Sequence, residues 1–419
     1  MKFQPLKGMR DLGTSEAMKK QGTIAVIRSV FEKYGFSPVE TPALESFEML
    51  SMKGGGDAIR REIYNFKDQG GREIGLRFDL TVPLARFVSN NPTMPKPFKR
   101  YAIGDVWRYD NPQASRWRQF TQADVDTIGS SSIMADVECV AAIIDALESV
   151  GLKDFKIRVN NRKLLENILA ACGVKKDKIS EVFRTIDRMD KIGKAGVGEK
   201  LKKIGVDEEK IFSYLDKKFA ELGKIQGYGE LEEFLAAMDN FGMAGKIKTD
   251  LTLVRGLEYY TGNVFEVVSS LSVSIGGGGR YDKMMAAYGA GYMPAVGMSI
   301  GVDRLLELLP NDDKKTPSTV FVAVIGNVAK EASQIANNLR KNGVATSIEL
   351  AGRNIKKQLE YADSLKIPFV VILGPEEVES KTAKVRNMET RKEENLKLEE
   401  LDSYLIKLFD TSSKAVDKR

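Results

Sequence analysis

The 419-residue chain contains no histidine, although a chain of this length at ordinary usage carries several. That absence removes a catalogue of mechanisms: no Ser-His-Asp triad, no imidazole general base and no His-ligated zinc can be built. Any chemistry must rest on arginine, carboxylates, tyrosine and groups that a ligand brings. Cysteine is nearly as scarce. Cys139 and Cys172 are the only two, both in apolar helical settings, which reads as two core thiols in a reducing cytoplasm and not as a disulfide framework. No apolar run reaches membrane-spanning length and no signal peptide is apparent, so a cytoplasmic location without a membrane partner is expected.

Charge of either sign is plentiful. Sixty-four Lys and Arg against fifty-eight Asp and Glu leave +6, a mild excess that permits a nucleic-acid partner without demanding one. With 42% apolar residues the chain can bury one large core and one or two smaller ones. Ile24, Ile27, Val30, Phe31 and Tyr34 share one helical face, and Gly35 is placed to stop that helix. Leu76, Phe78 and Leu80 alternate with Arg77, Asp79 and Thr81, the period of a half-buried strand, which puts Asp79 and Thr81 on one face. From Asn161 to Lys246 the pattern changes to Lys/Glu-rich amphipathic helices, read as a helical insertion. Strand patterns return over Leu251 to Val268 and Leu271 to Ile275. After a polar linker, Pro310 to Ser318, four segments alternate: strand Val320 to Ile325, helix Val328 to Lys341, strand Val344 to Ile348, helix Asn354 to Leu365. With the strand Pro368 to Leu373 they predict a small α/β domain with a largely parallel sheet.

Two short segments carry the most chemistry: LVRGLEYYTG, Leu253 to Gly262, and GGGGRYD, Gly276 to Asp282. The glycine run lacks the Lys-Ser/Thr of a P-loop and the spacing of a dinucleotide fingerprint. Following a strand-like run, however, glycines let a ligand lie against the backbone. Between Lys96 and Arg118 lie six basic residues, two acids and both tryptophans, in the pattern of a hairpin with a polar loop over Asp110 to Arg116. Trp107 and Trp117 read as packing residues. On the returning arm, Gln122, Asp124 and Asp126 share a face opposite Thr121, Ala123 and Val125.

Both segments resemble the signature stretches of histidyl-tRNA synthetases, and the rest of the chain follows in order. KYGFSPVETPALE (Lys33 to Glu45) resembles motif 1 of class II synthetases, FKRYAIGDVWRYDNPQASRWRQFTQADVD (Phe98 to Asp126) motif 2, and AVGMSIGVDRLLELL (Ala295 to Leu309) motif 3. LRFDLTVP and RYDNP are closest to the archaeal and eukaryotic branch. The resemblance implies an α+β fold with an antiparallel-sheet catalytic domain (1–160 and 247–312), a helical insertion (161–246) and a C-terminal α/β anticodon-binding domain (317–419).

It further implies ATP-dependent activation of L-histidine, transfer to tRNA(His), Mg2+ accompanying ATP, and a homodimer built through motif 1. Adenylate formation suits a histidine-free chain, because the substrate carboxylate is already a nucleophile and the help it needs is charge stabilisation on phosphate. By resemblance, Arg108 and Arg255 are the catalytic arginines on the α-phosphate, and Arg304 lies against the bent ATP. Asp79, Thr81 and Gln122 take the substrate α-amino group. Asp126 and Tyr260, with Tyr259 beside them, read the imidazole; Gln113 and Arg116 meet the tRNA acceptor end. Arg280 reads equally as a turn brace. Thr121 and Asp79 depart from the bacterial pattern, which has histidine and glutamate there. The alternative is a non-catalytic paralogue, a regulatory subunit of ATP phosphoribosyltransferase, which usually loses the catalytic arginines and the C-terminal domain.

Overall fold

The computed structural model describes residues 3–52, 61–110, 116–223, 225–254, 259–270, 273–311 and 314–416. The chain separates into two compact units, residues 1–11 with 20–310, and residues 12–19 with 311–419. No helix among the described residues is long and apolar enough to cross a membrane.

In chain order the strands of the first unit are β1 (Ser37–Pro38), β2 (Leu44–Ser46), β3 (Asn65–Lys67), β4 (Glu73–Leu76), β5 (Phe98–Trp107), β6 (Gln119–Ile128), β7 (Phe155–Asn161), β8 (Ile247–Thr249), β9 (Asn263–Ser269), β10 (Ser274–Arg280) and β11 (Ala295–Gly301). Eight of them form one sheet in the order β1-β5-β6-β11-β10-β9-β7-β8, and β2-β4-β3 form a small separate one. The six central strands of the large sheet are antiparallel; only β1 and β8, at its edges, pair in parallel. One face is dry. Helix Thr14–Lys33 buries Ile24, Ile27, Val30 and Phe31, as the sequence predicts. Helix Ile133–Ser149 adds Val137, Val140, Ile143, Ile144 and Leu147 to the same core as Ala123, Val125, Val296 and Met298 of the sheet. Each such side chain contributes roughly 1.5–3 kcal/mol on leaving water. Gly35, at φ +75°, ends the first helix in the left-handed conformation that glycine adopts at least cost. Both cysteines are buried.

Residues 162–240 contain helices and no strand among those described. A kink at Gly193 (φ 67°, ψ 172°) divides the helix Met189–Ile204.

Three sequence expectations change. Residues 77–80 do not continue a strand: β4 stops at Leu76, and Thr81 opens the helix Thr81–Ser89. The Arg77 side chain turns inward, donating to the Asp105 and Thr41 carbonyls at 2.9 and 2.7 Å, and Asp79 Oδ1 accepts from the Val82 amide at 2.9 Å. A short polar side chain offering the backbone an alternative to the ladder ends the strand. Second, the glycines lie within β10 and do not follow a strand. Third, the segment read as a strand from Leu251 to Val268 is strand only over Asn263–Ser269, with β8 ending at Thr249.

In the second unit, β12 (Val320–Val324), β13 (Thr346–Ile348), β14 (Phe369–Leu373), β15 (Thr382–Asn387) and β16 (Glu393–Lys397) form a sheet in the order β13-β12-β14-β15-β16. The first three strands are parallel, joined by the helices Ala329–Lys341 and Ile355–Ser364. β15 and β16 are antiparallel additions, so the sheet is mixed where a largely parallel one is expected. The α/β character stands.

Candidate active site

The exposed face of the large sheet is the floor of a cleft of about 1140 Å³. Its lining follows from strand register. Gln122 pairs with Gly104 on one side and Gly301 on the other; Asp124 lies between Ala102 and Ser299; Asp126 lies between Arg100 and Gly297. Each polar side chain of β6 is thus flanked largely by small residues, which leaves open volume above the sheet. The middle row continues through Gly277, Glu266, Arg158 and Lys248.

The glycines are required by the fold of this floor. A Cβ at Gly276 would lie 2.1 Å from the Ser299 carbonyl oxygen, one at Gly278 2.1 Å from that of Gly297, and one at Gly297 1.9 Å from Asp126 Oδ1. Gly276, Gly277 and Gly278 also line the cleft, so backbone is open to a ligand there as the sequence suggests.

At one end of the cleft buried carboxylates gather around Arg100, with Arg77 also close enough to act on Asp124. Arg100, 1% exposed, lies 2.7 Å from Asp126 Oδ2 and donates to the Leu80 carbonyl, between Asp79 and Thr81, at 3.2 Å. The Tyr281 hydroxyl donates to Asp126 Oδ1; burial and that carboxylate hold the phenol well above its ordinary pKa. Asp124 is pushed up to about 7, first by burial and then by Asp126 and Asp79, against the opposing pull of Arg100 and Ser299. Gln122 donates to the Ser299 hydroxyl at 2.7 Å. Gln122 Oε1 and Asp124 Oδ1 are among the acceptors here that are buried without a hydrogen-bond partner. Such groups are costly unless a ligand satisfies them.

Elsewhere the lining mixes charges: Arg108, Arg116, Arg158 and Arg304 lie with Phe120 and Trp117 and with carboxylates such as Asp110, Asp250 and Glu266. Arg108 is held by its Nε, which donates to the Phe78 carbonyl at 2.9 Å, and its guanidinium lies 5.2 Å from the Phe120 ring centre. Arg304 donates to the Ser274 carbonyl at 2.9 Å. Trp117, expected to pack, is in the cleft wall with the Arg10 guanidinium 4.8 Å from its ring.

Asp79, Thr81, Arg108, Arg116, Gln122, Asp126, Tyr259, Tyr260 and Arg304 are all brought to this one cleft. Tyr259 and Tyr260 lie with ring centres 4.3 Å apart, and Tyr260 is 3.0 Å from the position of a Cβ on Gly279. Arg255 and Gln113 lie outside the described residues. Arg280 is a brace on the opposite face: it pairs with the fully buried Asp136 and donates to the Ser130 and Ser132 carbonyls at 2.9 and 3.0 Å. Thr121 also faces away, its hydroxyl donating to Asp105 and its amide to Asp303. Sequence reasoning placed Asp124 on the right face but gave it no role, and it missed Arg100 and Tyr281. An arginine in a strand and a tyrosine just after one carry no signal of burial beneath a site.

Comparison with known proteins gives one family throughout. Residues 8–305 match the family model described as histidyl-tRNA synthetase, and residues 319–408 match an anticodon binding domain. The histidine–tRNA ligase of Nanoarchaeum equitans is 38% identical over 406 residues, covering 95% of this chain and 98% of its own. That of Clostridium tetani is 37% identical over 404 residues, covering 89% and 91%. The crystal structure of histidyl-tRNA synthetase from Nostoc sp. PCC 7120 superposes with a TM-score of 0.87 at 28% identity, over 97% of this chain and 99% of that one. A Bacillus halodurans structure titled ATP phosphoribosyltransferase regulatory subunit/histidyl-tRNA synthetase shares the fold, with a TM-score of 0.76 at 24% identity over 89% of this chain and 100% of its own.

Proposed function

The chain belongs to the histidyl-tRNA synthetase family, and on that premise we propose that the cleft above the large sheet is where histidine and ATP meet. The protein is a histidine–tRNA ligase: it activates histidine with ATP and transfers it to tRNA. The observation that carries the site assignment is the division of the lining. Buried acceptors without partners, Gln122 Oε1 and Asp124 Oδ1, gather near Asp79 and Asp126, where a substrate bearing several N–H donors would satisfy them. Arg108 and Arg304, with the aromatic Phe120, supply what a nucleotide triphosphate needs.

The chemistry follows from that division. The histidine carboxylate is directed away from the acidic end and toward Arg108, whose fork holds it and the α-phosphate at attack distance. Arg108 is positioned for this by its bond to the Phe78 carbonyl. Charge growing on the α-phosphate during in-line attack is met by Arg108 and, by family resemblance, Arg255. Asp79, Thr81 and Gln122 take the α-ammonium group; Tyr260 and Tyr259 face the ring. In the transfer step the protein has no imidazole to act as base, and a phosphate oxygen of the adenylate takes the proton of the tRNA ribose hydroxyl. Arg116, at the cleft mouth, and Gln113 would meet the acceptor end.

Aminoacyl-tRNA synthetases use ATP with a divalent metal, here assigned as Mg2+. Among the described residues no group of three carboxylate or cysteine side chains forms a cage. That fits an ion carried in on ATP oxygens with one or two carboxylates, which the acidic side chains of the lining, Asp110 and Glu266 among them, would supply. The ion would neutralise phosphate charge. A homodimer built through the motif 1 segment and a cytoplasmic location complete the reading; light scattering at defined concentration measures the first.

ATP–pyrophosphate exchange with a panel of amino acids tests the function. Exchange with histidine alone is the expected result. No exchange with any amino acid, together with binding to an ATP phosphoribosyltransferase, would replace this reading by the regulatory one.

A further inference from the structure

Resting on the assignment of ATP to this cleft, we infer that the N-terminal segment Lys7 to Arg10 is part of the ATP end of the site, with Arg10 as a positioning residue that ties the base of the motif 2 loop to the motif 3 helix. The sheet is interrupted there. β11 accompanies β6 only from Ala295, opposite Ile128, to Gly301, opposite Gln122, whereas β6 begins at Gln119 and pairs with β5 as far as Trp107. The tip of the β5–β6 hairpin, with Phe120, Trp117 and Arg116 in the cleft lining, therefore projects past β11. Beyond the ladder, side chains must set its distance from Arg304.

Asp303, in the first turn of the helix Val302–Leu308, supplies one link: its Oδ2 accepts from the Thr121 amide at 2.7 Å. Arg10 supplies a second, farther out along the hairpin. Its guanidinium lies 4.8 Å from the Trp117 ring centre, and its Nη2 donates to Asp303 Oδ1 at 3.5 Å. Trp117 Nε1 is buried without a hydrogen-bond partner, so the indole is seated by packing and by the cation beside its ring. The segment that carries Arg10 is itself fastened to the hairpin. The Arg118 amide donates to the Gly8 carbonyl at 2.7 Å and its Nη1 to the Lys7 carbonyl at 3.1 Å, while its Nε donates to the Asp110 carbonyl at 3.1 Å. Gly8, at φ +83°, turns the chain at this point. One arginine thus holds the start of the motif 2 loop and the N-terminal segment together.

Removing the Arg10 side chain orphans no buried charge. It is 27% exposed, and Asp303 keeps both the Thr121 amide and Lys20, whose Nζ lies 3.7 Å from Oδ2. What is lost is the link from Trp117 to Asp303, and with it the fixed spacing between Arg108 and Phe120 on the hairpin and Arg304 beside Asp303. Those three side chains meet ATP together, so a looser spacing weakens ATP binding. The histidine end is built on Asp79, Gln122 and Asp126, none of which is a partner of Arg10 or Arg118 in these links, and its affinity should hold.

The test measures pyrophosphate exchange at varied ATP and at varied histidine for wild type, Arg10→Ala and Arg10→Lys, with urea midpoints to establish that each is folded. Arg10→Ala is expected to raise the KM for ATP about fivefold or more, while the KM for histidine stays within about twofold and kcat within about threefold. Arg10→Lys, which keeps a cation for Asp303 and for the indole, should recover part of the loss. If the alanine variant does not fold, Arg10→Gln is read in its place. An unchanged ATP KM would overturn the inference, and so would equal losses for both substrates, a fall confined to kcat, or a lysine variant no better than alanine. Failure of the wild-type enzyme to exchange with histidine would instead bring down the function assigned to the cleft, a different outcome from any of these.

Discussion

Gly297→Ala is the substitution whose consequence the structure fixes most closely. A methyl group there would lie 1.9 Å from Asp126 Oδ1, 2.6 Å from its Cγ and 2.8 Å from the Val125 carbonyl oxygen. β11 cannot retreat, since it is hydrogen-bonded to β6 on one side and β10 on the other. The Asp126 carboxylate must therefore move, and in moving it leaves Arg100, 1% exposed, without its 2.7 Å counter-ion. Breaking a buried pair by removing one partner costs about 3–5 kcal/mol. Both tryptophans lie in the β5–β6 hairpin region, so tryptophan fluorescence during urea unfolding reports on the unit that contains the site. The decisive comparison is a double-mutant cycle with Asp126→Ala, which removes the clashing carboxylate in advance. Once Asp126 is alanine, Gly297→Ala should cost little beyond the residual contact with Val125, giving a coupling of about 1.5 kcal/mol or more. Additivity within about 0.5 kcal/mol would refute the claim that glycine is present to seat Asp126 on Arg100.

Three further outcomes follow from the site and its surroundings. The Asp124 carboxyl, pushed up to about 7 by burial, binds a proton in the folded state at pH values where the unfolded chain, near 4, has lost it. Its contribution to stability is therefore full below about pH 4 and is lost as the pH rises toward 7, with a ceiling of about 4 kcal/mol; Asp124→Asn should flatten that part of the urea-midpoint profile, and identical profiles would contradict the burial assigned to it. Arg255→Ala should lower pyrophosphate exchange by about a hundredfold or more while tRNA binding persists in gel shift, and exchange within about threefold of wild type would remove Arg255 from the phosphate. Burial raises the pKa of both thiols, so an aromatic disulfide reagent should leave Cys139 unmodified in the native protein and titrate both cysteines only after unfolding; rapid native reaction of Cys139 would show that the helix Ile133–Ser149 is not packed as described.

Sequence alone determined the elements whose information is local and periodic. The stripe from Ile24 to Phe31 fixed a helix and its buried face, Gly35 fixed its end, and the alternation along β6 fixed which residues share a face with Gln122. The absence of histidine, likewise a property of the sequence, confined the chemistry to arginines, carboxylates and substrate oxygens. Motif spacing brought nine of the eleven anticipated site residues into one cleft; the other two lie outside the described residues. Tertiary structure decided what depends on neighbours distant in the chain. The end of β4 was set by Arg77 reaching Thr41 and Asp105, and the glycine run became a strand because β11 approaches it too closely for a side chain. Arg100 in β5 and Tyr281 just after β10 are ordinary residues in sequence until the fold buries them against Asp126. Whether a carboxylate is free to meet a ligand or is held by the protein is a matter of long-range register and desolvation. Asp124 and Asp126, two residues apart on one face, are alike in sequence, and it is the fold that sets Asp126 2.7 Å from Arg100 and buries Asp124 beside it.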